Sequence, residues 1–340
     1  MSTITDEVAG GIVATAQEPP SASRHVIPGT EVPVFQSRDG AIKEIESRVD
    51  LIARSHVPVF ITGESGTGKE VIARLIHQKS QKAPFVAINC AALPKDVIEN
   101  ELFGHERGAF TGALIKKSGC FELAHGGTLF LDEVAEMHPQ TQAKLLRAIE
   151  TKVFRRLGGS EEVSVDTRII AATNKDPLAA MSSGLLREDL FYRLSVIELS
   201  LPPLRNRKAD IVPLLEHYML HLSKKHNGKP KRFAVECLEL LTGFDWPGNV
   251  RELKNLVERL VLLCQDDVVE IRHLPARMVG RKIQAPIITI ELGTTVDNAE
   301  RLLITRTLEH VGDNKAKAAR LLGVSRKTLY DKLKHYEVTP

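Results

Sequence analysis

The sequence predicts an α/β fold, a mostly parallel sheet sandwiched by helices, followed by an all-helical subdomain and a C-terminal three-helix unit with helix-turn-helix spacing. Three observations carry this expectation. Short, almost wholly apolar runs at 57–61, 85–89, 128–131, 168–173 and 196–201 alternate with helical patterns such as 140–151, as in strands buried on both faces. From 209 to 277 the periodicity is helical, broken at Asn227-Gly228-Lys229-Pro230 and at Trp246-Pro247-Gly248-Asn249. Ala319, Gly323 and Leu329 then supply a small residue at a helix crossing, a turn glycine and a core position.

The 340 residues suffice for two or three domains and a substantial core. A formal net charge of +3 does not by itself mark a nucleic-acid binder. Cys90, Cys120, Cys237 and Cys264 are widely spaced without a Cys-x-x-Cys pair, and read as reduced thiols rather than disulfides or metal ligands. Residues 1–20 lack the basic region and apolar core of a signal peptide, and no stretch is long and apolar enough to span a bilayer. A cytoplasmic protein without a membrane partner is the expectation.

In chain order, residues 1–33 read as a disordered tail rich in Ser, Thr, Ala and Pro. Order is expected from Val34, and the α/β part occupies 34–204. Ile42, Ile45, Val49 and Ile52 share one helical face. The run 57–61 then leads into Gly63-Glu64-Ser65-Gly66-Thr67-Gly68-Lys69-Glu70, a strand, glycine-rich turn and helix start that together form a phosphate-binding P-loop. Gly63, Gly66 and Gly68 permit backbone angles that turn successive N–H groups toward phosphate oxygens, and Lys69 can reach the β- and γ-phosphates. Glu70 stands where Ser or Thr commonly offers Mg²⁺ a hydroxyl, so the metal must lean on another carboxylate.

That carboxylate lies in Thr128-Leu129-Phe130-Leu131-Asp132-Glu133, an apolar strand ending in two acids, the Walker B arrangement. Asp132 suits the Mg²⁺ shell, and Glu133 can orient and activate the attacking water. Thr173-Asn174 ends another strand and puts an amide within reach of a γ-phosphate or the water. Asn174-Lys175-Asp176-Pro177 lacks the second acid of a guanine-reading motif, so ATP is the expected nucleotide. Arg187 and Arg193 flank 188–192; taken alone they are solvated helix arginines, though a guanidinium can hold phosphoryl-transfer charge with several donors. Arg251 alone is a helix-start arginine.

Residues 103–113 combine three glycines with an aromatic in a polar loop, placing Phe110 and Thr111 exposed at its tip. A glycine-hinged aromatic suggests a protein contact set by nucleotide state. Residues 154–165 read as a hairpin turning through Gly158-Gly159-Ser160. Pro202-Pro203 closes the α/β part; the helical subdomain covers 205–279, a linker 280–295 and the helix-turn-helix 296–340. In the last unit Ser325 can cap a helix bearing Arg326, Lys327, Thr328, Tyr330, Lys332 and Lys334, a density that suits phosphates of double-stranded DNA. Arg326, Lys327 and Thr328 are best placed for base edges. Leu302, Leu303, Ile304, Leu308 and Val311 offer an apolar side suited to dimerisation.

The P-loop octapeptide, Gly108-Ala109-Phe110-Thr111-Gly112-Ala113 and Trp246-Pro247-Gly248-Asn249-Val250-Arg251-Glu252-Leu253 resemble the bacterial enhancer-binding proteins, AAA+ ATPases that activate the sigma-54 form of RNA polymerase. The likeness covers residues 34–340. It implies that Lys69 and its glycines bind ATP, with Glu also standing in the family at the place of Glu70. It further implies that Asp132 and Glu133 serve Mg²⁺ and hydrolysis, and that Asn89 restrains the catalytic glutamate and couples it to the contact loop. Thr173 and Asn174 resemble sensor I, and Arg251 sensor II. Arg187 and Arg193 match arginines that reach a neighbouring subunit's site, implying a ring, usually a hexamer. Gly108 to Ala113 would contact sigma-54 through Phe110 and Thr111. Residues 157–159 look like the second pore loop, and the C-terminal block resembles Fis-type domains.

The expected function is an activator held by its helix-turn-helix at upstream DNA, which uses ATP hydrolysis to remodel the closed sigma-54 RNA polymerase holoenzyme complex. Two rivals stand beside it: an AAA+ remodeller of another substrate, and a DNA-binding repressor of the same descent. With about thirty residues ahead of the ATPase, control is expected from expression level, a regulatory protein in trans or a segment outside this chain.

Overall fold

The computed structural model describes residues 25–26, 37–82, 84–279, 288, 290, 293–312 and 314–336. The chain divides into two compact units, one ending at His273 and the other beginning at Leu274.

The first unit is built on a six-stranded sheet. β1 (His25–Val26) precedes α1 (Gly40–Arg54), β2 (Val59–Thr62), α2 (Lys69–Lys79) and β3 (Phe85–Asn89). Then come α3 (Lys95–Phe103), the short β4 (Gly104–His105) and β5 (Lys117–Ser118), α4 (Cys120–Leu123) and β6 (Thr128–Asp132). α5 (Pro139–Thr151), the pair β7 (Val153–Arg155) and β8 (Glu162–Ser164), and β9 (Arg168–Thr173) follow. α6 (Pro177–Ser182), α7 (Glu188–Leu194) and β10 (Ile197–Ser200) complete the layered part. The strand order is β1-β3-β6-β9-β2-β10, every pairing parallel except that of β1 with β3.

Alternation along the central strands explains the two helical layers. Val59 and Ile61 of β2, Phe130 of β6 and Ile170 and Ala172 of β9 pack with Ile42, Ile45, Val49 and Ile52 of α1 and Ile72 and Ile76 of α2. The intervening residues Phe60, Leu129, Leu131, Ile169 and Ala171 face the opposite layer, with Ile98, Leu102, Leu145 and Leu190. Successive strand side chains point to opposite faces, so a run apolar at every position needs cover on both. Asp39 caps α1 by accepting the N–H groups of Ala41 and Ile42, while α5 starts on a proline.

Beyond β10, the chain forms α8 (Ile211–Lys225), β11 (Arg232–Phe233), α9 (Val235–Gly243), α10 (Asn249–Leu263) and β12 (Val268–Val269). This corrects the all-helical expectation: β11 and β12 pair in parallel, Arg232 with Val268 and Phe233 with Val269, a two-residue ladder too short to leave a periodicity. β1 corrects another, since His25 and Val26 inside the expected disordered tail pair with Ala87 and Val86. Val34, the expected start of order, and most of the expected linker 280–295 lie outside the described residues.

The second unit contains α11 (Ala276–Val279), α12 (Val296–His310), α13 (Lys315–Leu322) and α14 (Arg326–His335). Ile304, Leu308, Ala318, Ala319, Leu329, Leu333 and Tyr336 form the core of its last three helices, with Val311 packed against it. The side of α12 expected to serve dimerisation is therefore largely spent inside the unit, and Leu303 remains exposed. All four cysteines are buried and none forms a disulfide, and no helix among the described residues is long and apolar enough to cross a membrane.

Candidate functional site

The parallel sheet gathers the first group of residues at the carboxyl ends of its central strands. β2 runs into the glycine-rich turn, where Gly63, Gly66 and Gly68 take φ of 150°, 80° and 108°. At Gly66 a Cβ would also lie 2.4 Å from the Gly248 carbonyl oxygen, so glycine is required there by space as well as by angle. Lys69 begins α2 and is buried; its Nζ donates to the Gly63 carbonyl at 2.8 Å and lies 3.3 Å from Glu133 Oε1. Glu70 turns outward to Arg74, at 2.6 and 2.9 Å.

Asp132 ends β6 opposite Asn89 of β3. Asn89 Nδ2 donates to Asp132 Oδ2 at 3.2 Å, and Asn89 Oδ1 accepts from the N–H groups of Ala91 and Ala92. The asparagine thus holds Asp132 rather than Glu133, a correction to the expected pairing that follows from the direct register of β3 and β6. Burial and the neighbouring Glu133 push the Asp132 carboxyl above the usual carboxylate range. Its Oδ1 is buried and finds no hydrogen-bond partner among the described residues. An orphaned carboxylate oxygen beside a second acid is a donor set that fits a hard divalent cation such as Mg²⁺.

Glu133 sits in left-handed backbone, φ 56°. Oε1 faces Lys69, and Oε2 accepts the Asn174 N–H at 2.8 Å. Asn174 therefore reaches the site with its backbone, whereas its side-chain amide was expected to act. Thr173 is fully buried, its hydroxyl accepting from the Lys175 N–H.

The segment after β10 closes over the turn and supplies residues that sequence reasoning missed. Arg205 makes a two-pronged ion pair with Glu64, 2.6 and 2.8 Å, and Asn249 Nδ2 donates to Glu64 Oε2 at 3.2 Å. The Arg205 guanidinium, then the Asn249 amide, hold the Glu64 carboxyl below its ordinary value. Asn249 is wholly buried at φ 50°, and its Oδ1 accepts from the Leu204 N–H. Arg251 Nη1 donates to Ser65 Oγ at 2.9 Å, bringing the expected sensor arginine onto the P-loop. An asparagine after Pro-Gly at a helix start was the available signal, since Asn tolerates left-handed backbone.

Arg187 and Arg193 lie elsewhere on this unit. Arg187 grips Asp189 with two bonds, 2.7 and 3.0 Å. Arg193 is exposed and lines a groove with His56, Lys82, Lys152 and Arg168. Among the described residues neither bonds to Lys69, Asp132 or Glu133 of its own chain.

The contact loop rises from the antiparallel pair β4 and β5. Gly108 and Gly112 take φ of 84° and 102°, and the Gly108 N–H donates to the Ala113 carbonyl at 2.8 Å, pinching residues 108–113 into a tip. Phe110 is 48% exposed, its ring edge-on to buried His105 at 5.0 Å; Thr111 is exposed and Ala113 buried. Leu114 and Ile115, 80% and 69% exposed, extend the apolar tip beyond the residues singled out in sequence. β7 and β8 form the expected hairpin. Its turn is tied to the loop: the Glu106 N–H donates to the Leu157 carbonyl, and Arg156 bonds Glu106 at 2.8 Å and Glu122 at 2.6 Å. A Cβ on Gly158 would meet that of Ala109 at 2.7 Å. The two loops are therefore packed against and bonded to one another.

In the second unit, Gly323 ends α13 in left-handed backbone and Ser325 caps α14 by accepting the Thr328 N–H at 3.0 Å. Arg326, Lys327, Thr328, Tyr330 and Lys334 are exposed. Lys332 is different: half-buried, it pairs at 2.6 Å with Glu300, which also accepts from Tyr336. That corrects its expected role, because its charge is already matched within the unit.

The sigma-54 interaction domain family matches residues 35–200, the AAA+ ATPase lid domain family 205–286, and the Fis family of bacterial regulatory proteins 295–336. Transcriptional regulatory protein FlbD of Caulobacter vibrioides is 44% identical over 317 residues, covering 88% of this chain and 69% of that protein. Regulatory protein AtoC of Escherichia coli (strain K12) is 44% identical over 297 residues, covering 85% of this chain and 64% of AtoC. Among solved structures, NtrX from Brucella abortus in complex with ADP aligns with a TM-score of 0.69 at 33% identity, covering 89% of this chain and 70% of that one. The same protein in complex with ATP aligns at 0.67 and 34%, covering 88% and 68%.

Proposed function

The chain belongs to the sigma-54-dependent AAA+ transcriptional regulators that carry a Fis-type helix-turn-helix, and we propose that it is an ATPase that converts the closed sigma-54 RNA polymerase promoter complex into the open one. The observation that supports this most is the convergence of Lys69, Glu133 and the partly orphaned Asp132 at one strand edge.

In this reading the N–H groups of residues 63–68 and the Lys69 ammonium hold the ATP phosphates, and Arg251 reaches them from the lid. Asp132 would hold Mg²⁺, which when bound neutralises charge between the β- and γ-phosphates. Glu133 takes a proton from the attacking water, kept in place by the Asn174 N–H. Arg187 and Arg193 stabilise the transferring phosphoryl group of an adjacent subunit, so activity requires a ring, with a hexamer as the natural closure.

Asn89 links Asp132 to the turn at Ala91 and Ala92, and α3 runs from that turn to the base of the contact loop. A change at Asp132 thereby reaches Phe110 and Thr111, which press on sigma-54. The second unit holds the assembly at upstream DNA through Arg326, Lys327 and Thr328, in the cytoplasm, with a regulatory protein in trans as one source of control. Functional boundaries at 34–204, 205–279 and 296–340 follow from this division of labour. A promoter-opening assay with purified sigma-54 holoenzyme tests the whole reading: opening requires ATP and this chain together, and opening in the presence of a non-hydrolysable analogue contradicts it.

A further inference from the structure

Three consecutive carbonyls of the P-loop are held from outside. Asn249 Nδ2 donates to the Ser65 carbonyl at 3.0 Å, the Val250 N–H to that of Gly66 at 3.0 Å, and Arg207 Nη2 to that of Thr67 at 2.7 Å. In a trans peptide the C=O and the following N–H point in opposite directions. Fixing these carbonyls outward therefore aims the N–H groups of Gly66 and Gly68 toward the cradle before any ligand arrives, while the Thr67 N–H donates to the Glu64 carbonyl at 3.3 Å.

Arg207 is the unusual member of the three. The residue is 6% exposed and leaves Nε without a hydrogen-bond partner; among the described residues it forms no ion pair at contact distance, although the Asp210 and Asp39 carboxylates act on its charge. Burying it carries a desolvation cost that an apolar side chain of similar length would avoid. That cost is incurred in holding the Thr67 carbonyl, and through it the geometry of the turn.

Three residues on, Asp210 is fully buried and gathers the residues that lead into α1. It accepts from Ser37 Oγ at 2.5 Å, from the Arg38 N–H at 2.6 Å and from the Asp39 N–H at 3.2 Å. Asp39 in turn caps α1. One short connector between β10 and α8 thus clasps the chain ahead of α1 at one end and the phosphate-binding turn at the other.

We propose that Arg207 and Asp210 are positioning residues of the nucleotide site, Arg207 orienting the Gly68 N–H through the Thr67 carbonyl and Asp210 joining that orientation to residues 37–39. The inference rests on the nucleotide reading above, and it couples residues 37–39 to the P-loop.

The test uses the full chain, a fluorescent ATP analogue and amide hydrogen exchange. Arg207→Met removes the donor while keeping length; ATP affinity is expected to fall about tenfold with kcat at saturation nearly unchanged, and Gly68 exchange to quicken by a similar factor. Arg207→Lys, which keeps a donor, restores most of the affinity. Asp210→Asn speeds exchange at residues 37–39 and at Gly68 together. Wild-type affinity in Arg207→Met, or equal losses in the Met and Lys variants that track a lowered thermal midpoint, overturns the role of Arg207. Quickened exchange at 37–39 alone overturns the link through Asp210. Lys69→Ala serves as control: unaltered ATP binding in that variant sinks the P-loop reading itself and leaves the clasp geometry measurable by exchange.

Discussion

The Lys69 ammonium lies 3.3 Å from the Glu133 carboxylate, so the glycine-rich turn and the acid proposed for hydrolysis share one ion pair across the carboxyl edge of the sheet. Under the proposed function, an incoming γ-phosphate is expected to compete for that ammonium and free Glu133 Oε1 for water. Glu133→Gln is therefore expected to bind ATP at least as tightly as the parent while kcat falls by about a hundredfold or more. Lys69→Ala loses ATP affinity. Isothermal titration paired with a phosphate-release assay measures both.

Asp132 gives a pH-dependent stability with a definite sign. Its carboxyl is raised by burial and by Glu133, so on rising pH the unfolded state gives up its proton before the folded state does, and stability falls as pH climbs through the folded value. Without metal at neutral pH, Asp132→Asn is expected to raise the thermal midpoint by about 2 °C, with the gain shrinking toward acid pH as the native carboxyl protonates. The same variant loses stabilisation by Mg²⁺ with nucleotide. Melting curves from pH 4 to 8, with and without Mg²⁺, show both effects.

Arg193 and Arg187 differ in what already holds them. Arg187 is paired with Asp189, whereas Arg193 opens into a groove lined by further cations. Arg193→Ala is expected to lower kcat by about a thousandfold with ATP affinity retained, and Arg187→Ala by a smaller factor. If the arginine acts on a neighbour, as proposed, mixing Arg193→Ala with Glu133→Gln is expected to restore measurable turnover. Steady-state assays of the mixtures, across protein concentrations that populate the ring, decide the point.

DNA binding separates Lys332 from its helix mates. Arg326→Ala and Lys327→Ala should each reduce the slope of log K against log salt by about 0.9, the increment for one lost phosphate contact. Lys332→Ala should leave that slope nearly unchanged, because its ammonium is engaged by Glu300. Its effect falls on the stability of the three-helix unit. Fluorescence anisotropy over a salt series gives the slopes.

Much of the layered architecture was readable because its signals are local. The runs containing Phe60, Leu129 and Ile170 are apolar at every position, and only two-sided cover explains that. Gly66 and Gly68 advertise left-handed backbone, and the Asp132-Glu133 pair ends a strand too apolar to be a surface loop. What escaped was set by partners distant in sequence. Asn249 and Arg207 act on backbone carbonyls of the P-loop, and a carbonyl leaves no trace in residue type. The pairing of Lys332 with Glu300 spans helices that only the folded unit brings together, so its charge looked available. His25 and Val26 form a strand through two residues within a stretch whose composition argues against order. Asn89 was assigned to Glu133 by family likeness, yet the β3–β6 register puts Asp132 directly across from it.

Thr111 is expected to separate action on sigma-54 from hydrolysis. It is exposed at the tip, so Thr111→Ala should keep ATPase activity within about twofold, as for a surface substitution. Transcription from a sigma-54 promoter should be lost. Parallel ATPase and single-round transcription assays measure the split.

The most direct test is retention of sigma-54 by the full chain held with ADP and aluminium fluoride, compared with ADP alone and with Thr111→Ala. Retention is expected only when the transition-state mimic and an intact 108–113 tip are both present. Equal retention in all three states, or none in any, contradicts a loop whose hold on sigma-54 is set by the γ-phosphate.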